Sequence, residues 1–332
     1  MLHKLFIACC TLLLLGRGAA AQAVYSATDP LAHTFSIVAR DPKTGEMAVG
    51  VQSHWFSVGT SVSWGEAGVG VVATQSFTNK SFGLRGLALL KSGKSAQQAL
   101  DELLAADEAR EVRQVAILDN QGRVATHTGK KCVDMAGHQQ GAQFSVQANM
   151  MLNATVWGAM AKAYEASASL PLAERVLAAL DAAQAAGGDI RGRQSAALLV
   201  VRGTTTEGPW ADRLVDLRVD DNAAPLTELR RLLKLHRAYD HMNAGDLAVE
   251  KNDMPTAIKE YQAAEKMFPG NLEMKYWHAI TLANKQQVPA ALALLRPIFK
   301  QEPNWRILTE RLPKVGLLTV SPAELKQILT LK

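Results

Sequence analysis

A chain of 332 residues with 48% hydrophobic and 20% charged side chains is long enough for two domains and too apolar for general disorder. Its formal charge is +5, and the basic residues are scattered rather than clustered, which excludes the electrostatic footprint of a nucleic-acid binder. Its three cysteines include the adjacent pair Cys9 and Cys10, close to the start of the chain.

Residues 1–21 read as a signal peptide. Lys4 is followed by the apolar run Leu5–Leu15, too short to span a bilayer, and then by the small residues Ala19, Ala20 and Ala21. Export to the periplasm or the medium is the expectation, with no stable membrane anchor. Cleavage would remove Lys4, Arg17, Cys9 and Cys10, leaving Cys132 without an internal disulfide partner. Cys132 is therefore expected as a small packed residue. Residues 22–33, small and polar with Pro30, read as a leader or propeptide.

The stretch Thr34–Ser53 alternates at strand period on either side of DPKTGE, whose Asp, Pro and Gly are turn chemistry. It predicts a β-hairpin headed by Thr34. A buried strand follows from Val69 to Gln75, and the repeated glycines Gly59, Gly65, Gly68 and Gly70 suggest tight turns and close backbone approach. Ser81 is placed to cap a helix running to Lys91. Ser95 and Gln98 form a capping box for the next helix. Strands are predicted over Val112–Leu118, Arg123–Thr128 and Phe144–Asn149. Helices follow over Asn153–Ser167 and Pro171–Ala186, then strands over Ser195–Arg202 and Leu214–Val219. This order of strands, two helices, strands, two helices and strands fits an α+β class. Its architecture is a four-layer αββα sandwich spanning residues 34–222.

From 225 to 332 the pattern is helical and alanine-rich. Two 34-residue windows, carrying Ala257, Tyr261, Ala264 and Pro269, then Ala279, Leu282, Ala291, Leu295 and Pro303, have tetratricopeptide-like spacing. Leu226–Arg237, Ile307–Leu312 and Pro322–Leu331 would be the flanking helices. No H-E-x-x-H, Cys-x-x-Cys, phosphate loop or dinucleotide fingerprint is present. His54, His127 and His138 stand singly, so neither a metal nor a cofactor is expected.

The motifs TFSIVARDPKTGE, GVGVVATQSFTN, GLRGLALLKSG, FSVQANMM and GGDIRGRQSAALLV together resemble the domain of unknown function 1028 family, of the N-terminal-nucleophile (Ntn) hydrolase superfamily. The resemblance implies hydrolysis of an amide or peptide bond by Thr34. Cleavage after His33 would free the Thr34 amine, whose reference pKa of roughly 8 lets it act as base for its own hydroxyl. No lysine lies between Met47 and Ser76 to stand beside that nucleophile, which passes the role to Arg40, His54 or a residue further along the chain. Asp189 would orient the amine, and Arg191, Gln194 and Ser195 would hold substrate. The competing reading of these four is a helix stop and a turn. Gln147 and Asn149 are oxyanion donors or strand-end ties, and Gln75 and Ser76 line a pocket or close a strand. A protein partner at the helical repeats and pairing of copies through the helix layers complete the expectations. The alternative to an enzyme is a binding or assembly protein built on the same scaffold.

Overall fold

The computed structural model describes residues 31–32 and 34–332. The predicted signal peptide and most of the leader, His33 included, lie outside the described residues. The predicted hairpin is present as β2 (Thr34–Arg40) and β3 (Met47–Ser53), in register from Thr34 opposite Ser53 to Arg40 opposite Met47. Its turn closes because Asp41 Oδ1 accepts from the backbone N–H of Lys43 at 2.7 Å and Thr44 at 3.2 Å, while Gly45 takes φ +76°.

The hairpin forms the middle of a six-stranded antiparallel sheet. On one side lie β10 (Ser195–Val201) and β11 (Arg213–Val219), and on the other β9 (Phe144–Ala148) and β8 (Gly137–Gly141). The second sheet is also antiparallel. It runs from β5 (Gly70–Phe77) through β6 (Arg113–Asp119) to β7 (Val124–Thr128), with β1 (Leu31–Ala32) and β4 (Ser63–Glu66) both paired to β5.

Strand alternation sorts the side chains. Val38, Val49 and Val51 meet Val71, Ala73, Ala116 and Leu118 between the sheets. On the outer face of the second sheet, α1 (Ser81–Lys91) and α2 (Ala96–Ala105) bury Phe82, Leu100 and Leu103 against Val72, Val115 and Ile117. On the outer face of the first, α3 (Val156–Ala166) and α4 (Leu172–Ala185) bury Met160, Tyr164, Val176 and Leu180 against Phe35, Ile37, Val146 and Leu198. The α+β class expected from the sequence is the class observed. A Cβ added at Gly50 would lie 2.2 Å from Val176 Cγ1 of α4. Gly50→Ala is therefore expected to cost about 1–3 kcal/mol, read as a lowered urea midpoint at unchanged slope.

Three local expectations are corrected. Ser81 is the first residue of α1 rather than its cap: the N-cap position is Lys80, which makes no side-chain cap bond, and Asn79 Oδ1 before it accepts from Ser81 N at 3.1 Å and Ser81 Oγ at 2.8 Å. β1, β4 and β8 were not predicted, β1 falling in the stretch read as a leader; β8, with the sequence GHQQG, is a largely exposed edge strand with no apolar alternation to betray it. The helix expected to end at Arg237 runs on as α5 (Pro225–Glu250). The first half of α5 adds Leu226, Leu229 and Leu233 to the core under α4. Its second half packs Ala238, Met242 and Ala248 against Ala257, Tyr261 and Ala264 of α6 (Met254–Met267). A second antiparallel pair, α7 (Leu272–Asn284) and α8 (Val288–Gln301), carries a core that α9 (Asn304–Arg311) and α10 (Pro322–Leu329) close. Among the described residues, no helix is long and apolar enough to cross a membrane.

Candidate active site

The space between the sheets changes character along its length. Towards the turn of the hairpin it is hydrocarbon. Towards Thr34 it is filled by hydroxyl and amide side chains that are fully buried: Thr34, Ser36, Gln75, Gln114, Gln147 and Asn149. Burying so many polar groups is tolerable only when each finds a partner, and these do.

The Thr34 carbonyl accepts from Asn149 N at 3.1 Å, Asn149 Nδ2 at 3.3 Å and Gln75 Nε2 at 3.2 Å. Gln114 Oε1 accepts from Gln75 Nε2 at 2.6 Å and Asn149 Nδ2 at 2.8 Å. The Gln114 amide in turn donates to Ala148 O at 2.9 Å, Thr128 Oγ1 at 2.9 Å and Gly137 O at 3.2 Å. One pleat deeper, Ser36 Oγ donates to Gln75 Oε1 at 2.7 Å and accepts from Gln147 Nε2 at 2.6 Å. Gln147 Oε1 accepts from Ser145 Oγ at 3.1 Å, which accepts from Thr126 Oγ1 at 2.8 Å. Strands β5, β6, β7, β8 and β9 are thereby tied together around the head of β2.

Thr34, Ser53 and Ser195 form one cross-strand row on the inner face. The loop before Ser195 meets this row, as the sequence reading expected. Asp189 bridges to Met151, two residues past Asn149, and its Oδ2 accepts from His54 N at 3.1 Å, one residue past Ser53. Yet its carboxylate is clamped by Arg191, with Nε 3.1 Å from Oδ1 and Nη2 2.8 Å from Oδ2, so the two charges satisfy each other. Gln194 turns outward to Asp221, at 3.2 Å. Ser195 Oγ donates to Trp55 O and accepts from Val58 N at 3.1 Å, latching the loop after β3. The side chains of these last two residues are thus spent on the scaffold.

Arg40 is not brought to the site. It lies six residues along β2 from Thr34, roughly 20 Å away at strand rise, and donates from Nη1 to Gln143 Oε1 at 2.6 Å. Ser76 holds φ +71° where β5 ends, opposite Ala32 and Arg113, and Met150 holds φ +57° beside Asn149. These are costly backbone states for non-glycine residues, and both flank the polar end of the inter-sheet space.

The residue the sequence reading missed is Gln114, the node joining both sheets. Its signal was present: Gln114, Ala116 and Leu118 share one face of β6, so an amide occupies a position where the pattern calls for hydrocarbon. Beyond it, Thr128 Oγ1 contacts His138 Nδ1 at 2.8 Å. Partial desolvation, aided by the charge of His127, lowers the His138 pKa below the usual 6.5. The unfolded chain then holds this proton more tightly than the folded one, so stability falls as pH drops below 6.5. A nuclear magnetic resonance titration is expected to place the His138 midpoint below that of a free histidine. Burial also raises the Cys132 thiol above its usual value, keeping it protonated, and its Sγ donates to Arg113 O at 3.4 Å. Among the described residues no group of His, Cys, Asp and Glu side chains could hold a metal ion.

Residues 34–229 match the DUF1028 family, described as a family of unknown function. The crystal structure of protein SPO2555 from Silicibacter pomeroyi, matched to the same family, is similar to this chain. Its sequence identity is 32%, its TM-score 0.55, and the match covers 61% of this chain and 88% of that one. No curated protein matches. With more than half its length matched, and with a solved structure of the same family beside it, this chain belongs to the DUF1028 family.

Proposed function

We propose that the chain is an exported Ntn-type hydrolase that cleaves an amide or peptide bond through Thr34, made N-terminal by a cut after His33. On this reading the two sheets with a helix pair on each outer face are an αββα sandwich of the Ntn kind. One observation carries the reading: the backbone crosses from the second sheet, at β1, to the first, at Thr34, beside the polar end of the inter-sheet space. In any chain a threonine hydroxyl lies only a few bonds from the carbonyl that precedes it, which makes self-attack chemically available. Attack of Thr34 Oγ1 on the His33 carbonyl carbon would break the His33–Thr34 amide, form an ester to Oγ1 and leave the Thr34 amine free. Water would then hydrolyse the ester and release the leader. In the mature protein the same amine would take the hydroxyl proton as Oγ1 attacks substrate.

A second reading has its own support. The amide donors of Gln147 and Asn149 already serve protein acceptors, and Asp189 is already neutralised by Arg191. A scaffold so self-satisfied suits a binding or assembly protein, whose tetratricopeptide-like hairpins α5–α6 and α7–α8 would take the partner. The N-terminus of the protein exported from cells separates the two. A chain starting at Thr34 supports the hydrolase, and one starting at Gln22 or Val24 supports the binder.

A further inference from the structure

One edge of β5 is covered along its whole length by β6. The other edge is shared. β4 covers residues 70–73, and Thr74 N beyond it donates to Val62 O at 3.2 Å. Ser76 and Phe77 are covered by β1 instead, with Ala32 opposite Ser76 and Leu31 opposite Phe77. Among the described residues this is the one strand pairing made by the leader. The bond cut in the proposed processing, between His33 and Thr34, lies just after β1. The cut therefore severs β1 from the rest of the chain and leaves its seat behind.

That seat is shaped by the body of the protein. Ser76 is held at φ +71°, and its carbonyl accepts from Thr78 Oγ1 at 3.3 Å. The Phe77 carbonyl accepts from Arg113 Nη1 at 2.7 Å. Arg113 is buried and its Nε lies 2.8 Å from Asp107 Oδ2. None of these bonds involves the leader, so the edge keeps its form when β1 departs. A strand edge fixed in advance is a template for another strand, whose main-chain bonds supply the affinity. The leader's own hold is short, because Pro30 has no N–H with which to lengthen the pairing beyond the two residues of β1. A strand held so briefly is easily exchanged.

We infer that the edge of β5 at Ser76 and Phe77 seats the acyl side of a peptide substrate, which adds there as an antiparallel strand in the place of β1. The chemistry rests on the hydrolase reading; the strand seat does not. In the self-cut, the His33 carbonyl carbon leaves the Thr34 nitrogen and joins Thr34 Oγ1. In turnover, the substrate's carbonyl carbon leaves its own amide nitrogen and joins the same Oγ1. The hydroxyl proton passes through the Thr34 amine to the departing amine, and water hydrolyses the ester. Both esters hang their acyl chain from one atom, so a substrate's acyl chain follows the course of the leader from Thr34 back to β5. Thr34 is fully buried in the uncut chain, and departure of the leader opens the way to its hydroxyl. The substrate class is then a peptide extended through the places of Leu31, Ala32 and His33, rather than an isolated amide.

The test uses two full-length chains that cannot cut themselves: Thr34→Ala, and Thr34→Ala combined with Ala32→Pro, which denies β1 its pairing. The probe is a fluorescein-labelled peptide with the sequence of residues 22–33, QAVYSATDPLAH. Fluorescence anisotropy is expected to show at least tenfold tighter binding to the Ala32→Pro chain than to the chain whose leader competes from within. Methylating the peptide's backbone nitrogens at its leucine and the alanine after it should weaken binding tenfold or more. Amide exchange at Ser76 and Phe77 should quicken in the Ala32→Pro chain and slow again when the peptide is added. Thermal midpoints report folding, and Leu31→Pro replaces Ala32→Pro if that chain does not fold. A folded proline variant that ignores the peptide, or binds its methylated form equally well, overturns the strand seat. A wild-type chain that never begins at Thr34, with peptide binding intact in the proline variant, overturns the hydrolase reading and leaves the seat standing. A wild-type chain that does begin at Thr34 should cleave the coumarin amide of this peptide at least tenfold faster than that of histidine alone; equal rates overturn the acyl-side assignment alone.

Discussion

If the proposed processing holds, Thr34→Ala is expected to leave the chain uncut at His33, heavier than wild type by the mass of the leader. Under the proposed mechanism any amide hydrolysis should fall by about 10³-fold or more, since the Thr34 hydroxyl would be the nucleophile and its neighbouring amine the base. The variant is a clean probe because the polar network holds the Thr34 carbonyl through three hydrogen bonds, and alanine keeps that carbonyl. Its thermal midpoint should therefore stay within a few degrees of wild type. Thr34→Ser keeps the hydroxyl and should still process, at a different rate. Intact mass, N-terminal sequencing and a peptide-cleavage assay together give the answer. Identical N-termini in wild type and Thr34→Ala, both upstream of Thr34, would falsify the Ntn mechanism.

The second large effect is on stability. Gln114→Ala removes a fully buried amide that accepts from Gln75 and Asn149 and donates to Ala148 O, Thr128 and Gly137 O. Each group stranded without a partner or water costs about 1–3 kcal/mol. A loss of at least ~3 kcal/mol is expected, measured from the urea midpoint. Gln97, on the exposed face of α2 with only a bond to Asp101, is the contrast: Gln97→Ala should stay within about 0.5 kcal/mol. An effect at Gln114 no larger than at Gln97 would mean that water replaces the amide freely, and that this end of the inter-sheet space is wet rather than sealed.

Much of this arrangement was legible from the residues. The hairpin was, because period-two alternation and the DPKTGE turn agree on one register. So was the meeting of the 187–195 loop with the hairpin end, because a polar run stops just where an apolar strand begins. Asp189 and Arg191 were both noticed, but that they clamp each other depends on rotamers that no spacing rule encodes. Arg40 was drawn in because it shares a strand with Thr34. Strand rise over six residues places it at the opposite end. Gln114 escaped because a strand read alone does not say which face turns inward. Only the pairing of β6 with β5 and its stacking on β2 make that amide the centre of the network. α5 escaped for a related reason. The sequence pattern shifts near Arg237 because the helix changes the core it packs on, and a change of partner resembles an end.

That helix carries a mechanical consequence. Its 26 residues make a rod of about 39 Å, rooted at one end in the core beneath α4 and at the other in the α6 hairpin. The family match stops at residue 229, inside this rod, so a chain trimmed there would lose Leu233 and uncover part of the outer face of the six-stranded sheet near β10 and β11. The two regions should accordingly melt as one transition, with amide protons in the middle of α5 exchanging as slowly as those of β2. A load taken up on the carboxy-terminal hairpins would be delivered, as through an axle, to the layer lying directly on the strand that begins with Thr34.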